Sequence, residues 1–135
     1  MGQKKMQTEP QAPGRKFLKV TGFLYILHGG FMALGIILIL LFHPEPGDIV
    51  FMVLLFPQML YSVLVGVMGV LYCNYVERAG MLRTLAVVDM GLVAGLSLYH
   101  LMVASTTLPN PVTNLIFPIL FMIGVVKNLR SKKSV

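Results

Sequence analysis

Long apolar stretches broken by short polar connections set the pattern of this chain. The apolar stretches run over about residues 17–42, 49–73, 84–104 and 111–126. A helix rises 1.5 Å per residue, so about 20 residues cross a hydrocarbon core roughly 30 Å thick. The first two runs span with tilt to spare, and the fourth is the shortest. Barrel strands would be shorter and would alternate. The pattern therefore predicts an all-α membrane protein, a bundle of four transmembrane helices joined by short loops. The connections carry the usual punctuation. His43-Pro44-Glu45-Pro46-Gly47-Asp48 is proline- and acid-rich, residues 74–83 contain Glu77, Arg78, Gly80 and Arg83, and residues 105–111 hold two threonines and two prolines.

The ends read differently. Residues 1–15 are polar and are expected to form a disordered cytoplasmic tail. Residues 16–128 form the four-helix domain, and residues 129–135 a basic cytoplasmic tail. The first run is about twice the length of a signal-peptide core, and no small-x-small cleavage site follows it, so it reads as a retained span. Met1-Gly2-Gln3 begins like a myristoylation site, but position 6 is Met rather than Ser or Thr.

Composition agrees with the pattern. Of 135 residues, 56% are hydrophobic and 12% are charged, about half the charged share of an ordinary soluble domain. The formal charge is +6. On a soluble protein that would suggest nucleic acid. Here the cations flank apolar runs, so no nucleic-acid partner is expected. Lys4, Lys5, Arg15, Lys16 and Lys19 precede or open the first helix. Arg78 and Arg83 lie in the middle connection, and Lys127, Arg130, Lys132 and Lys133 end or follow the fourth helix. With four spans, all 11 basic residues fall on one side. The positive-inside rule then places both termini in the cytoplasm. A lone cysteine, Cys73, excludes an internal disulfide and any Cys-x-x-Cys site. The thiol oxidoreductases that need cysteine pairs are excluded with it.

Few residues carry candidate chemistry. Asp89 is an acid within the third run, and intramembrane acids are costly and functional by default. It either lines a polar path or reaches back to Arg83 or Arg78 near the interface. His100 lies about 20° around the helix from Asp89 and about 16 Å along it, so Asp89, Val93, Leu96 and His100 form one stripe. His100 also suits an interfacial belt beside Tyr99. His28, near the middle of the first helix, shares a stripe with Thr21 and Gly35 and needs a partner such as Tyr61, Ser62 or water. Together Asp89, His100 and His28 form a candidate polar pathway. Two intramembrane histidines also raise haem b. Their unequal depths argue against it, and no cofactor, metal or catalytic set is expected.

Small residues form the clearest stripes. Ser62, Gly66, Gly69 and Cys73 follow near 3–4 spacing in the second helix, and Gly91 and Gly95 make a G-x-x-x-G pair in the third. Gly22, Gly29, Gly30 and Gly35 are spread along the first. Such residues let backbones approach where lipid removes the hydrophobic drive for helix association. Gly91 and Gly95 sit about 200–240° around the helix from Asp89. The third helix thus has one face for the bundle and one for a second copy or another membrane protein. Pro57 and Pro118 are expected to kink their helices. The equal steps Pro57–Asn74 and Pro111–Asn128 suggest that helices 1–2 and 3–4 are parallel repeats.

The segments Lys16-Phe-Leu-Lys-Val-Thr-Gly-Phe-Leu-Tyr25 and Pro118-Ile-Leu-Phe-Met-Ile-Gly-Val-Val-Lys-Asn128 resemble those of small four-span bacterial membrane proteins of unassigned function. The resemblance covers about a fifth of the chain, rests on apolar strings of low specificity, and implies a four-helix bundle in a bacterial plasma membrane with no activity attached. Named small families fit less well. The first helix lacks the acid of small multidrug transporters and the Gly-rich Arg motif of double-barrelled fluoride channels. The chain has no Trp and no paired cysteines, as claudin-like proteins require. Two functional readings remain. One is a non-enzymatic accessory or self-associating subunit whose small-residue faces carry its function. The other is a small transporter or channel subunit using Asp89, His100 and His28.

Overall fold

A computed structural model describes residues 11–42, 45–103 and 110–133. Within them the chain is helical: α1 (Arg15–Phe42), α2 (Pro46–Tyr72), α3 (Ala79–Met102) and α4 (Ile116–Lys133). All four are long and apolar enough to cross a membrane, counting the 3₁₀ turns that lead into α3 and α4. Residues 1–10 of the expected tail, His43 and Pro44 of the first connection, and residues 104–109 of the third lie outside the described residues.

Local chemistry explains the boundaries. Pro46 opens α2 after the extended Glu45, and Asp48 occupies its first turn, where a carboxylate complements the helix dipole. A 3₁₀ turn, Val76–Arg78, turns the chain into α3. That helix begins at Ala79, not near residue 84 as expected, because Ala79 and Leu82 are buried and continue one stripe through Ala86, Asp89, Val93 and Ser97. Asn110 accepts a hydrogen bond from the Val112 amide at 2.9 Å and caps a second 3₁₀ turn, Pro111–Leu115, ahead of α4. Pro118 therefore falls in the first turn of α4, where its missing N–H costs little. It does not break the middle of a helix, whereas Pro57 lies inside α2. α4 runs to Lys133, through most of the expected basic tail, with cations in its last turns as the dipole favours.

The helices pack in chain order around a square, α1 on α2, α2 on α3, α3 on α4 and α4 on α1. One end is tied by the stretch before α1. The Ala12 amide donates to Asn74 Oδ1 at 3.1 Å, and the Gly14 amide donates to Asn128 Oδ1 at 2.6 Å. Asn128 Nδ2 donates in turn to the Cys73 carbonyl at 3.2 Å. Ala12 and Gly14 are buried, so residues 12–14, which fall within the expected tail, are docked against the bundle. They are held because a buried Asn side chain offers both an acceptor and a donor. Asn74 and Asn128, the two ends of the suspected repeat, thus share the task of holding this segment. We call this the terminal end. At the distal end, Phe51 of α2 stacks on Tyr99 of α3.

Both diagonals of the square are bridged by side chains. Phe121 of α4 presses its ring on Gly69 of α2. Leu18, Tyr25, Val65, Leu82, Ala86, Phe121 and Val125 form the core of the terminal half. Large apolar side chains such as Phe23, Phe31, Val53, Leu71 and Leu101 remain exposed around the outside, the distribution expected of helices whose solvent is hydrocarbon.

Candidate functional site

The second diagonal is polar. Tyr25 of α1 donates its hydroxyl to Asp89 Oδ2 of α3 at 2.7 Å, and Ser62 of α2 donates to Asp89 Oδ1 at 3.0 Å. Gln58, one turn from Ser62, donates its amide to Ser62 Oγ at 2.8 Å. Tyr25, Gln58, Ser62 and Asp89 are all buried.

The helix ends explain why these groups meet. Tyr25 lies ten residues into α1, Asp89 ten residues into α3, and Ser62 ten residues before the end of α2. Each is about 15 Å from the terminal end. Three helices therefore deliver an acceptor and its donors to one level. Asp89 is nearly three turns deep, where a helix start near residue 84 would leave it shallow. It is satisfied by neutral donors and not by Arg83 or Arg78, both too near the helix start. Next to it, Tyr61 donates to the Leu85 carbonyl at 3.1 Å.

The candidate polar pathway is not drawn together into one chain of hydrogen bonds. Asp89 bonds to Tyr25 and Ser62, not to either histidine. His28, one turn beyond Tyr25, stacks on Phe117 at 4.3 Å between ring centroids. Neither Tyr61 nor Ser62 serves as its partner; their hydroxyls bond the Leu85 carbonyl and Asp89 instead. His28 Nε2 and Gln58 Oε1 are buried with no hydrogen-bond partner. His100 is half-buried near the distal end, edge-on to Phe51 at 5.3 Å. Val93 and Ser97 follow Asp89 on the buried stripe, while Leu96 is half-buried.

A cavity of about 240 Å³ opens in the distal half between α1, α2 and the turn before α4. Its wall is mostly apolar, from Met32, Ile36, Phe51 and Leu55, with His28, Asn110, Thr113 and Asn114 as polar members. Asn114 sits close to the Met32 sulfur, 3.8 Å away. Among the described residues, no three His, Cys, Asp or Glu side chains converge as metal ligands would.

The glycines divide into two kinds. A Cβ on Gly22 would meet the Gly66 carbonyl oxygen at 2.7 Å, and one on Gly66 would meet the Gly22 carbonyl oxygen at 2.7 Å. The α1 and α2 backbones touch there. Gly69 receives Phe121, and a Cβ on Gly124 would meet Leu18 Cγ at 2.9 Å. Gly30, Gly35, Gly80, Gly91 and Gly95 are different: a Cβ on any of them would meet no atom within 4 Å, and of these Gly91 and Gly95 lie exposed one turn apart on the same helix. The bundle does not use them for its own packing.

Tyr25, Gln58 and Asn128 are the residues that sequence reasoning passed over. The signal for Tyr25 and Gln58 lies in the depth arithmetic: a buried acid needs donors at its own level. Comparison with known proteins adds no relative, since no family model, curated protein or solved structure matches the chain.

Proposed function

We propose that this protein is a non-enzymatic integral membrane module, with both termini in the cytoplasm, that acts as an accessory or self-associating subunit. The carrying observation is the uncovered face of α3. Asp89, Val93 and Ser97 turn one side of that helix into the bundle, while Gly91, Ala94 and Gly95 present a flat strip to the outside. A glycine inside a helix costs roughly 0.5–1 kcal/mol relative to alanine, and neither glycine recovers that cost within this fold. A second backbone laid along the strip would recover it by close van der Waals contact. A two-fold pair of α3 helices is the simplest closed arrangement of identical chains.

Energy transfer between donor- and acceptor-labelled copies in proteoliposomes tests this. The parent protein should give transfer that falls as lipid dilutes it, and Gly95→Leu should abolish transfer while the four helices remain inserted. No transfer in the parent at any dilution rejects self-association. Topology is tested separately: reporters fused at Val135 and inserted at Gly47 should lie in opposite compartments, with Val135 cytoplasmic.

A second reading rests on the distal cavity, which reaches His28 with its buried, unpartnered Nε2. In that reading the protein is a small transporter or channel subunit using His28, Asp89 and His100. A proton or cation flux through liposomes that Asp89→Asn removes would favour it. A parent protein that passes nothing favours the module.

A further inference from the structure

Two adjoining hollows lie on the outer surface between α3 and α4. One, of about 420 Å³, is walled by Met90, Ile119, Ile123 and Val126 and ends at Lys127 and Arg130. The other, of about 330 Å³, continues from Val126 and Arg130 to Arg83 and Lys132. Together they make a groove that is apolar toward the middle of the bundle and basic at the terminal end. From Ile119 to Arg130 the groove follows α4 for about 16 Å, about half of a 30 Å hydrocarbon core.

Among the described residues the basic end lacks a counter-charge. The chain has five acids, and Glu9 lies outside the described residues. Glu45 and Asp48 are at the distal end, and Asp89 is buried against Tyr25 and Ser62. Glu77 is near the terminal end but forms no ion pair with Arg83, Arg130 or Lys132. Two guanidiniums and one ammonium, those of Arg83, Arg130 and Lys132, thus surround the mouth of an apolar slot with no carboxylate of the described residues among them, while Lys127 at its edge turns its ammonium over the Phe17 ring of α1. Arginine pairs phosphate in a bidentate manner, and basic pockets between membrane helices accept anionic lipid headgroups.

We infer that the α3–α4 groove is a binding site for an anionic phospholipid of the cytoplasmic leaflet. An acyl chain lies along Met90, Ile119 and Val126, and the phosphate sits between Arg83 and Arg130. The inference rests on membrane residence as proposed above, and is independent of self-association through Gly91 and Gly95.

Native mass spectrometry of the full chain, released from mixed phosphatidylglycerol and phosphatidylcholine micelles, tests it without any variant. Retained lipid should be phosphatidylglycerol at least tenfold over phosphatidylcholine. The variant arm is the double substitution R83Q with R130Q, both at exposed positions, against a control double substitution K16Q with K19Q at the same end. The first should lose the preference at least tenfold and the second should keep it. Equal retention of the two lipids overturns the site. So does equal loss in both double variants, which would mean diffuse charge attraction. Inorganic phosphate that competes fully with phosphatidylglycerol also overturns it, since the acyl groove would then contribute nothing. Flotation with pure phosphatidylcholine vesicles reads membrane residence separately, so failure of that reading is distinguishable from failure of the lipid site.

Discussion

Gly22 and Gly30 stand about two turns apart on α1, and their surroundings are opposite. At Gly22 the α1 and α2 backbones touch through reciprocal carbonyl contacts with Gly66, whereas a Cβ on Gly30 would meet nothing within 4 Å. Most other glycines follow the same division, except that Gly29, one turn beyond Tyr25, still packs on Val63 and Gly80, at the terminal end, is open. The terminal half is drawn tight by Gly14, Gly22, Gly66, Gly69 and Gly124, filled by Leu18, Phe121 and Val125, and closed by the asparagine clamp on residues 12–14. The distal half holds a cavity of about 240 Å³ and open glycines at Gly30 and Gly35. Without a hydrophobic drive between helices, tightness must come from close contact and hydrogen bonding. This chain places most of both in one half. The Asp89 cluster marks the boundary, about 15 Å from the terminal end.

The contrast breaks most readily at the touching backbones. Gly66→Val would force a side chain against the Gly22 carbonyl and Tyr25. Overpacking of this kind costs about 1–3 kcal/mol or more. Unfolding in mixed micelles should show a larger loss than Tyr25→Phe, Asn128→Ala or Gly35→Ala produces. The same valine at Gly35 should leave the unfolding midpoint almost unchanged. Equal losses at the two sites would erase the distinction between the halves.

Tyr25→Phe comes next. It removes the donor to Asp89 Oδ2 while keeping the ring against Phe117 and Phe121. A buried acceptor left without its partner costs about 1–3 kcal/mol in soluble proteins, and membrane hydrogen bonds average nearer 0.6 kcal/mol. A loss of about 1 kcal/mol is expected. Combining Tyr25→Phe with Asp89→Leu should cost less than the sum of the single changes, since the coupled pair is removed together. Strict additivity would show that the bond carries no stability.

Asn128→Ala should have a smaller global effect and a clear local one. It removes the acceptor for Gly14 and the donor to Cys73. The expected result is faster amide exchange or proteolysis at residues 12–14 with a midpoint shift of about 1 kcal/mol or less. Unchanged protection there would mean the asparagine clamp does not hold the segment. Gly35→Ala is the mildest test. It adds a methyl group to open space and should shift stability by less than about 0.5 kcal/mol.

The four long helices were legible in the sequence because long apolar runs are a strong signal, and the helices in the structure overlie all four runs. The ends were less legible. Ala79-Gly-Met-Leu-Arg83 looks like a connection when scanned for polarity. It becomes helix because Ala79 and Leu82 extend a buried stripe that begins deeper in α3. That shift of about one turn changed the depth of Asp89 and therefore its partners. Tyr25 reads as one aromatic among many until the ends of α1, α2 and α3 are aligned at a common level. The clamp by Asn74 and Asn128 depends on contacts among three segments far apart in the chain, residues 12–14, 73–74 and 128, which periodicity does not reveal. The α3 glycines were visible as a motif. Their exposure required the structure, because helical angles alone do not say which neighbours occupy a face.

Cysteine crosslinking tests the proposed role of that face most directly. Ala94 lies between Gly91 and Gly95 on the exposed strip, and Leu24 lies exposed on α1. In a Cys73→Ser background reconstituted at low protein-to-lipid ratio, oxidation should link Ala94→Cys copies into dimers and leave Leu24→Cys copies monomeric. Adding Gly95→Leu should prevent the link without lowering the unfolding midpoint. Monomeric Ala94→Cys, or equal crosslinking at both positions, would contradict association through α3.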